Sequence, residues 1–265
     1  MYEFDHHKPE SLQAAKSLFA SAADGIYLAG GQTLIPTLKQ RLASPSDLID
    51  LGAIGDLDII SKNGSTLSIG AMTCHADVAS SNVVREAIPA LSELAGLIGD
   101  AQVRNRGTIG GSVANSDPAA DYPAAVVALK ANIVTTDREI SGDDFFRGLF
   151  DTALVDGELI TRIDFAVPDR AAYAKFPNPA SRYAVVGVMV AEFSGNLQVG
   201  VTGAAGCAFR CVALESVLNK NPSAESIDAM TLDYATFNSD MHASAEYRAQ
   251  LVKVMAKRAL AALQA

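Results

Sequence analysis

Two glycine-rich segments carry the residues of this sequence that are best suited to bind a ligand. The first, AGGQTLIP at residues 29–36, places Gly30 and Gly31 between a strand-like apolar run and a helical pattern. Glycines at such a position let backbone amides and the positive end of a helix approach a phosphate closely. A plain tight turn also explains such a pair, so this segment alone is a weak indication of a phosphate site.

The second segment, GTIGGSVANSDPAADYP at residues 107–123, adds chemistry that the first one lacks. Its glycines permit close approach of the backbone to a ligand, and Thr108 and Ser112 supply hydroxyl groups. Asp121 is able to accept hydrogen bonds from a ribose or an adenine, as acidic residues do in other dinucleotide sites. The two segments together therefore indicate a site for a large, phosphate-containing ligand.

Neighbouring charged residues leave two interpretations open. Asp117 followed by Pro118 is typical of a helix N-cap and the first helical residue, which needs no ligand. Arg104 and Arg106 either balance the charge of a pyrophosphate or lie in solvent or against a partner chain.

Composition and motifs exclude several classes of function. The first segment has no G-K-[ST] ending, which disfavours kinases and ATPases, and no G-x-G-x-x-G follows the first strand, which disfavours a classical NAD-dependent dehydrogenase. The net charge is -9, and no basic run exceeds two residues, so nucleic acids and anionic membranes are disfavoured as partners. No apolar stretch is long enough to span a membrane, and we expect a cytoplasmic protein.

Residues that commonly bind metals are few and scattered. They are Cys74, Cys207, Cys211, His6, His7, His75 and His242. Without a C-x-x-C pair they form neither a disulfide framework nor a four-cysteine cluster, and buried thiols are the expected state of the cysteines. We assign no metal to the chain.

With 265 residues, of which 49% are hydrophobic, the chain is long enough for two or three lobes. Residues 10–22 have helical spacing, and the order strand, glycine turn, helix and strand from GIYLAG to DLIDLG predicts a βαβ unit. Asn63 and Gly64 between two β-rich runs predict a hairpin. Residues 73–131 are mostly helical, with the second glycine segment predicted as a long loop.

The last region combines strands with a long helix. ELITRIDFAVP, SRYAVVGVMVAEF and LQVGVTGAA are predicted to form a meander of strands. The C-terminal helix has Tyr247, Leu251, Val254, Met255 and Ala259 along one face, which predicts the face that packs on the protein.

Taken together, AGGQTLIP, RNRGTIGGSVANSDPAADYPAA and KFPNPASRYAVVGV closely resemble the FAD-binding subunit of the molybdenum hydroxylases, the xanthine oxidase family. The nearest resemblance is to the medium, flavoprotein subunit of aerobic carbon monoxide dehydrogenases, and it covers the whole chain. Both segments in this order make the resemblance specific, whereas either one alone would not.

The resemblance implies an α+β fold in three parts. Two α/β lobes of the PCMH-type (vanillyl-alcohol oxidase-like) FAD-binding fold hold an extended FAD, and a C-terminal domain adds an antiparallel sheet with helices. We place FAD-binding lobe 1 at residues 1–54, FAD-binding lobe 2 at residues 55–168 and the C-terminal domain at residues 169–265.

The resemblance also implies which residues contact FAD. The first segment wraps the pyrophosphate, Asp121 lies near the ribose or adenine, Ile160 lies against the adenine, and Lys175 and Tyr183 lie near the isoalloxazine. The full predicted set is Ala29, Gly30, Gly31, Gln32, Thr33, Leu34, Ile35, Pro36, Thr108, Ile109, Gly110, Gly111, Ser112, Asp121, Ile160, Lys175 and Tyr183. No catalytic residue is assigned.

The implied function is that of an FAD-carrying electron-transfer subunit. Because three cysteines cannot hold two iron–sulfur clusters, those clusters are expected on an iron–sulfur subunit, and the molybdenum site on a molybdopterin-binding large subunit. The resemblance implies a dimer of heterotrimers, with a quinone, O₂ or NAD⁺ as the electron acceptor. The substrate is left open.

Two other functions remain as alternatives. A stand-alone FAD oxidoreductase of the vanillyl-alcohol oxidase type needs a substrate pocket with its own base, for which the C-terminal region is short. A flavin-free assembly scaffold would keep the fold alone, and the intact glycines and hydroxyls of both segments argue against it.

Overall fold

A computed structural model of the chain describes all 265 residues and contains the mixture of helices and sheets expected of an α+β fold. The elements fall into three groups in chain order, each built around one main sheet. None of the helices combines the length and the apolar composition that crossing a bilayer requires.

The first group is a small parallel sheet with two helices. Its elements are β1 (Asp5–His7), α1 (Leu12–Ser21), β2 (Gly25–Leu28), α2 (Leu34–Lys39) and β3 (Asp47–Asp50), followed by a 3₁₀ turn at Leu51–Ala53. β2 and β3 are parallel and α2 connects them, which confirms the predicted βαβ unit. The first glycine segment is the turn between β2 and α2.

The strand β1 was not predicted from the sequence. The first predicted elements were the helix within residues 10–22 and the strand that follows it. β1 pairs in parallel with β3, and the imidazole Nε2 of His7 lies 2.7 Å from Oδ1 of Asp47. Three polar residues, DHH, carry no alternation of apolar side chains, so only pairing with a distant strand identifies them as a strand.

The second group is an antiparallel sheet covered by short helices. Its strands are β4 (Ile60–Asn63), β5 (Thr66–Gly70), β6 (Asn132–Thr135), β7 (Glu139–Ser141), β8 (Phe146–Gly148), β9 (Asp151–Thr152) and β10 (Ile160–Ala166). Its helices are α3 (His75–Ser80), α4 (Asn82–Ala87), α5 (Pro89–Gly96), α6 (Ala101–Arg104), α7 (Ile109–Asn115), α8 (Tyr122–Ala128) and α9 (Gly142–Phe145). The sheet order is β4-β5-β10-β6-β7, and the predicted hairpin is the pair β4 and β5.

The second glycine segment contains a helix, which contradicts the long loop predicted for it. α7 begins after Thr108, whose hydroxyl oxygen accepts a hydrogen bond from the N–H of Gly111. Asp117 does not cap a helix: its carboxylate accepts from the N–H of Ala119 at 2.9 Å, and α8 begins only at Tyr122. A helix was not predicted here because the segment contains two adjacent glycines, and glycine disfavours helices. In the folded protein, tertiary packing overrides this local preference.

The third group is a four-stranded antiparallel sheet with helices. Its elements are β11 (Arg170–Pro177), β12 (Ala184–Phe193), β13 (Asn196–Thr202), β14 (Phe209–Arg210), α10 (Val212–Leu218), α11 (Ala224–Ala229) and α12 (Ala245–Gln264). The meander is β11-β12-β13-β14, so β10 (in ELITRIDFAVP) was wrongly predicted as part of it. β10 instead lies between β5 and β6 in the sheet of the second group. The strand that pairs with β12 at the start of the meander is β11.

β12 is buried on both faces. Met189 and Ala191 pack into the core that contains α5 and α8, whereas Val186, Val188 and Val190 pack into the core that contains α12. Because alternate side chains of a strand point to opposite faces, a strand buried on both sides is apolar throughout. The third sheet is therefore fixed to the second group as well as to its own helices.

The buried face of α12 contains Leu251, Met255 and Ala259 as predicted, but not Tyr247. Tyr247 is 46% exposed, whereas Arg248 beside it is 4% exposed. The Arg248 guanidinium donates to the carbonyl oxygens of Val185 and Gly203, both at 2.7 Å, and to Asp240 at 2.7 Å. It therefore ties α12 to the ends of β12 and β13.

We predict that Arg248→Met lowers the free energy of unfolding by about 2–5 kcal/mol, because two buried carbonyl groups lose their donor. Urea unfolding at constant m-value measures the change. The matched control is Asp240→Asn, which removes the half-exposed partner and should cost about 1 kcal/mol or less. Equal losses in the two variants would contradict this account of Arg248.

Candidate functional site

A cavity of about 840 Å³ lies where the three groups of elements meet. Most residues of its wall come from four segments, within residues 25–37, 98–121, 154–160 and 181–183. Ligand pockets commonly measure about 300–1,000 Å³, so this cavity is large enough for a cofactor.

The first glycine segment presents unpaired backbone amides at this wall. The N–H groups of residues 29–34 donate to no acceptor within the protein, and all six of these residues line the cavity. Successive N–H groups of this kind form concave anion-binding sites. The segment therefore offers a row of uncharged donors that suits phosphate oxygen atoms.

Glycine is required at two positions of this segment for different reasons. A Cβ atom on Gly30 would overlap the carbonyl oxygen of Arg106 and lie 2.7 Å from Cα of Gly107. Gly31 has a φ of 71°, in the left-handed region that disfavours other residues. The two glycine segments are thus in direct backbone contact, and a side chain at residue 30 would separate them.

The second glycine segment, by contrast, uses its amides internally. The N–H groups of residues 109–112 donate to acceptors on Ala71, Thr73 and Thr108, at 2.8 to 3.1 Å. What this segment offers to the cavity is the surface of its glycines and the hydroxyl group of Ser112, which makes no hydrogen bond within the protein. Its predicted role beside a phosphate is therefore limited to hydroxyl and van der Waals contacts.

Asp121 and Lys175 form a buried ion pair beside the cavity. Lys175 Nζ lies 2.9 Å from Oδ2 of Asp121, and the Tyr173 hydroxyl donates to Oδ1 at 2.6 Å. Burial raises the pKa of the Asp121 carboxyl, which the ion pair and the hydrogen bond oppose. Only Asp121 of the pair lines the cavity.

This pair revises two of the predicted contacts. Asp121 was predicted near the ribose or adenine and Lys175 near the isoalloxazine, which are at opposite ends of an extended FAD. Since the two side chains touch, both assignments cannot hold together. The N–H of Ala184 donates to the carbonyl of Ala119 at 3.1 Å, which brings the chain at Tyr183 beside the segment that leads to Asp121. Asp121 and Tyr183 both line the cavity, and Lys175 lies behind Asp121.

Glu158 holds the wall segment at residues 154–160 in place. The Glu158 carboxylate accepts two hydrogen bonds from Arg138 at 2.9 Å, one from Thr135 at 2.7 Å and one from the N–H of Val155 at 2.9 Å. Arg138 also donates to the carbonyl of Ala153. These contacts, with that of Arg138 first, lower the pKa of Glu158 to about 2.

An aromatic pair that was not predicted as part of a site lines the same region. The rings of Phe19 and Tyr27 stack with centroids 4.7 Å apart, and the Tyr27 hydroxyl donates to the carbonyl of Gly157 at 3.3 Å. Burial, with Asp156 and Asp137, raises the pKa of Tyr27 to about 12. Nothing local in the sequence distinguishes such a cavity wall from a core.

His75 is a second residue of the wall that the motifs did not indicate. It is 5% exposed, and its Nδ1 has no hydrogen-bond partner. Burial and the charge of Arg104 lower its pKa to about 4, so the imidazole is neutral near pH 7. Arg104 donates to the carbonyl of Ile98, and neither Arg104 nor Arg106 lines the cavity.

The cysteines fit the prediction of buried thiols only in part. Cys211 is buried, whereas Cys74 and Cys207 are half-buried. No group of three or more His, Cys, Asp or Glu side chains has an arrangement that could hold a metal ion.

The structure brings most of the predicted site residues to one cavity. Those that line it are Ala29, Gly30, Gly31, Gln32, Thr33, Leu34, Thr108, Gly110, Gly111, Ser112, Asp121, Ile160 and Tyr183. Those that do not line it are Ile35, Pro36, Ile109 and Lys175. Ile109 is fully buried and packs α7 against the core, and Lys175 lies behind Asp121.

We predict that Glu158→Gln makes the stability of the protein less sensitive to acid. The pKa of Glu158 falls from about 4.5 to about 2 on folding, so its contribution is complete above pH 4.5 and is lost as the pH falls towards 2. The wild type should lose about 1–3 kcal/mol more than the variant over this window, allowing for solvent screening at the half-exposed Arg138. Urea unfolding between pH 5 and pH 3 measures the difference, and parallel curves would refute it.

Comparison with known proteins identifies the family. Residues 2–168 match the family described as the FAD binding domain in molybdopterin dehydrogenase. The chain is 36% identical to the carbon monoxide dehydrogenase medium chain of Hydrogenophaga pseudoflava, over 97% of this chain and 96% of that one. It is 34% identical to the glyceraldehyde dehydrogenase medium chain of Sulfolobus acidocaldarius, over 97% of each chain.

Solved structures agree with the family match. The fold superposes on a chain of a Cu,Mo-containing CO dehydrogenase in its cyanide-inactivated form with a TM-score of 0.88, at 32% identity, over 100% of this chain and 99% of that one. A chain of quinoline 2-oxidoreductase from Pseudomonas putida 86 gives a TM-score of 0.89 at 27% identity, over 98% of this chain and 96% of that one. The chain therefore belongs to the family of FAD-binding domains of the molybdopterin dehydrogenases, and its fold is that of the FAD-binding subunits of these oxidoreductases.

Proposed function

We propose that the chain is the electron-transfer subunit of a multi-subunit molybdenum hydroxylase and holds FAD in the cavity between its lobes. The observation that carries this proposal is the row of unpaired amides at residues 29–34, which lines a cavity of cofactor size. A dinucleotide needs donors for its pyrophosphate and enough space for its two ring systems, and the row of amides and the volume of the cavity meet these needs.

Different residues of the cavity wall are suited to bind different parts of FAD. We infer that the amides of residues 29–34 hold the pyrophosphate and that Ser112 adds a hydroxyl contact. Ile160 and the stacked pair of Phe19 and Tyr27 supply apolar and aromatic surface, which suits an adenine. We place the isoalloxazine beside Tyr183, which also lines the cavity.

When bound, FAD supplies the redox chemistry, because it accepts electrons from iron–sulfur clusters and passes them to an external acceptor. This chain positions the cofactor and limits its contact with water. The proposed partners are an iron–sulfur subunit and a molybdopterin-binding large subunit in a dimer of heterotrimers, and the proposed acceptor is a quinone, O₂ or NAD⁺.

Similar chains occur in enzymes that are named for different substrates. Similar relatives include the medium chain of a carbon monoxide dehydrogenase, that of a glyceraldehyde dehydrogenase and a nicotine 6-hydroxylase medium subunit. Since such different substrates accompany similar chains, we propose that the substrate is oxidised on another subunit. The proposed function includes a carbon monoxide dehydrogenase but is not restricted to that enzyme.

We also propose the division into lobes at residues 1–54, 55–168 and 169–265. It is supported by the sheets, since β1 to β3, β4 to β10 and β11 to β14 each fall within one of these ranges. The cavity would then open where all three lobes contribute to one wall.

The first test is a titration of the chain, alone and in complex with the subunits that co-purify with it, with FAD. We predict saturable one-to-one binding by flavin absorbance and fluorescence, and weaker binding of FMN and NADH, since each offers only part of the contacts. Gly30→Ala should raise the Kd for FAD about tenfold or more, equivalent to about 1.4 kcal/mol, because its Cβ forces the two glycine segments apart.

Gly206→Ala is the matched control, since a Cβ at residue 206 meets no atom within 4 Å. Circular dichroism shows whether each variant is folded. If Gly30→Ala binds FAD as tightly as the control, the proposed position of the pyrophosphate is wrong. If the wild type binds no FAD in either form, the scaffold alternative gains support.

The electron-transfer role has its own test. In stopped-flow mixing, substrate added to the assembled complex should bleach the flavin absorbance after the iron–sulfur signals change, and the flavin should reoxidise when an acceptor is added. A complex depleted of FAD should still reduce its iron–sulfur clusters but not the acceptor. Substrate-driven reduction of flavin in the isolated chain would instead favour the stand-alone oxidoreductase.

A further inference from the structure

The cavity wall carries one positively charged side chain. The charged residues that line it are Asp117, Asp121, Asp156, Glu158 and Arg182. Asp121 and Glu158 are neutralised by Lys175 and Arg138, which lie outside the wall. Arg182 is therefore the only cation in direct contact with the cavity, and two aspartates of the wall have no cationic partner.

Arg182 is held at the cavity by its backbone. It adopts a φ of 63°, and its N–H donates to the carbonyl of Asn178 at 2.9 Å. The Asn178 side chain accepts from the N–H groups of Ala180 and Ser181, at 2.9 and 3.1 Å. The turn at residues 178–182 thus fixes the direction in which the Arg182 side chain leaves the backbone.

The stem of the Arg182 side chain lies against Gly99, although the residue as a whole is exposed. A Cβ atom on Gly99 would lie 2.6 Å from Cβ and 2.7 Å from Cδ of Arg182, so the absence of a side chain at Gly99 makes room for this stem. Gly99 itself lines the cavity. The stem therefore runs across the cavity wall.

The charged end of Arg182 is free. The ion pairs of arginine in this chain are made by Arg138, Arg162, Arg170, Arg210 and Arg248, and not by Arg182. Ordinary surface arginines need no partner, but this one is positioned at the wall of a cavity that suits an anionic ligand. A guanidinium with five donors and no acceptor is well matched to such an anion.

We propose that Arg182 makes the one cation–anion contact between this chain and bound FAD. This inference rests on the proposed function, and it adds a charged residue to a site whose phosphate donors are otherwise uncharged. Two parts of FAD carry the required negative charge: the pyrophosphate in every redox state, and the isoalloxazine when it is reduced. Both would be recognised by the same guanidinium, and experiment can separate them.

The test compares Arg182→Gln with Arg182→Lys, which keeps the charge, and with Arg258→Gln, which removes an exposed arginine of α12 that does not line the cavity. Each variant, alone and in the complex with its co-purifying subunits, is titrated with FAD, ADP and riboflavin at low and high salt. The midpoint potential of the bound flavin is measured in parallel by spectroelectrochemistry.

If Arg182 contacts the pyrophosphate, Arg182→Gln should raise the Kd for FAD and ADP about tenfold, as expected for loss of one charge-assisted hydrogen bond, and leave riboflavin unchanged. The salt dependence of the Kd should weaken, because a screened charge pair is lost. If Arg182 contacts the reduced ring, the midpoint potential should fall instead, since a nearby cation favours the extra negative charge. Arg182→Lys should recover part of either effect.

The inference is overturned if Arg182→Gln matches Arg258→Gln in affinity, in salt dependence and in potential while the wild type binds FAD. If the wild type binds no FAD, alone or in the complex, the proposed function fails and this inference fails with it. The two failures are therefore distinguishable by the wild-type titration alone.

Discussion

The backbone contact between the two glycine segments is the constraint on which the site depends. Gly30 lies against the backbone of Arg106 and Gly107, and no side chain fits between them. This contact joins the parallel sheet of the first group to the α7 region of the second group. Because both partners are main chain, a side chain at residue 30 would force the first and second groups of elements apart at the cavity wall.

The two segments then play different parts, although their compositions are similar. The amides of residues 29–34 have no partner within the protein and face the cavity, whereas those of residues 109–112 are used to fix the start of α7 to Ala71, Thr73 and Thr108. One segment is suited to bind, and the other supports it. A substitution in the first segment would disturb the unpaired amides, whereas one in the second would disturb the start of α7.

Buried charges hold the remaining walls of the cavity. Glu158 with Arg138 fixes the segment at residues 154–160, and Asp121 with Lys175 connects the start of α8 to β11. Each pair joins residues that are far apart in the chain, and each carboxylate accepts further hydrogen bonds that offset its desolvation. Since Glu158 and Asp121 are already neutralised, they add little net charge to a cavity that we propose to hold an anionic cofactor. Arg182 is the cation of the wall that is left to contact such a cofactor.

The sequence by itself determined the elements whose signals are local. The βαβ unit, the β4 and β5 hairpin, the helical region and the long C-terminal helix all follow from periodicity and turn chemistry, which act over a few residues. The tertiary structure alone decided that β1 is a strand, that α7 is helical, that Asp121 pairs with Lys175, and that His75, Tyr27 and Arg182 face the cavity. The reason is physical: these features arise from contacts between residues far apart in the chain, and no short stretch of sequence carries the energy of such contacts.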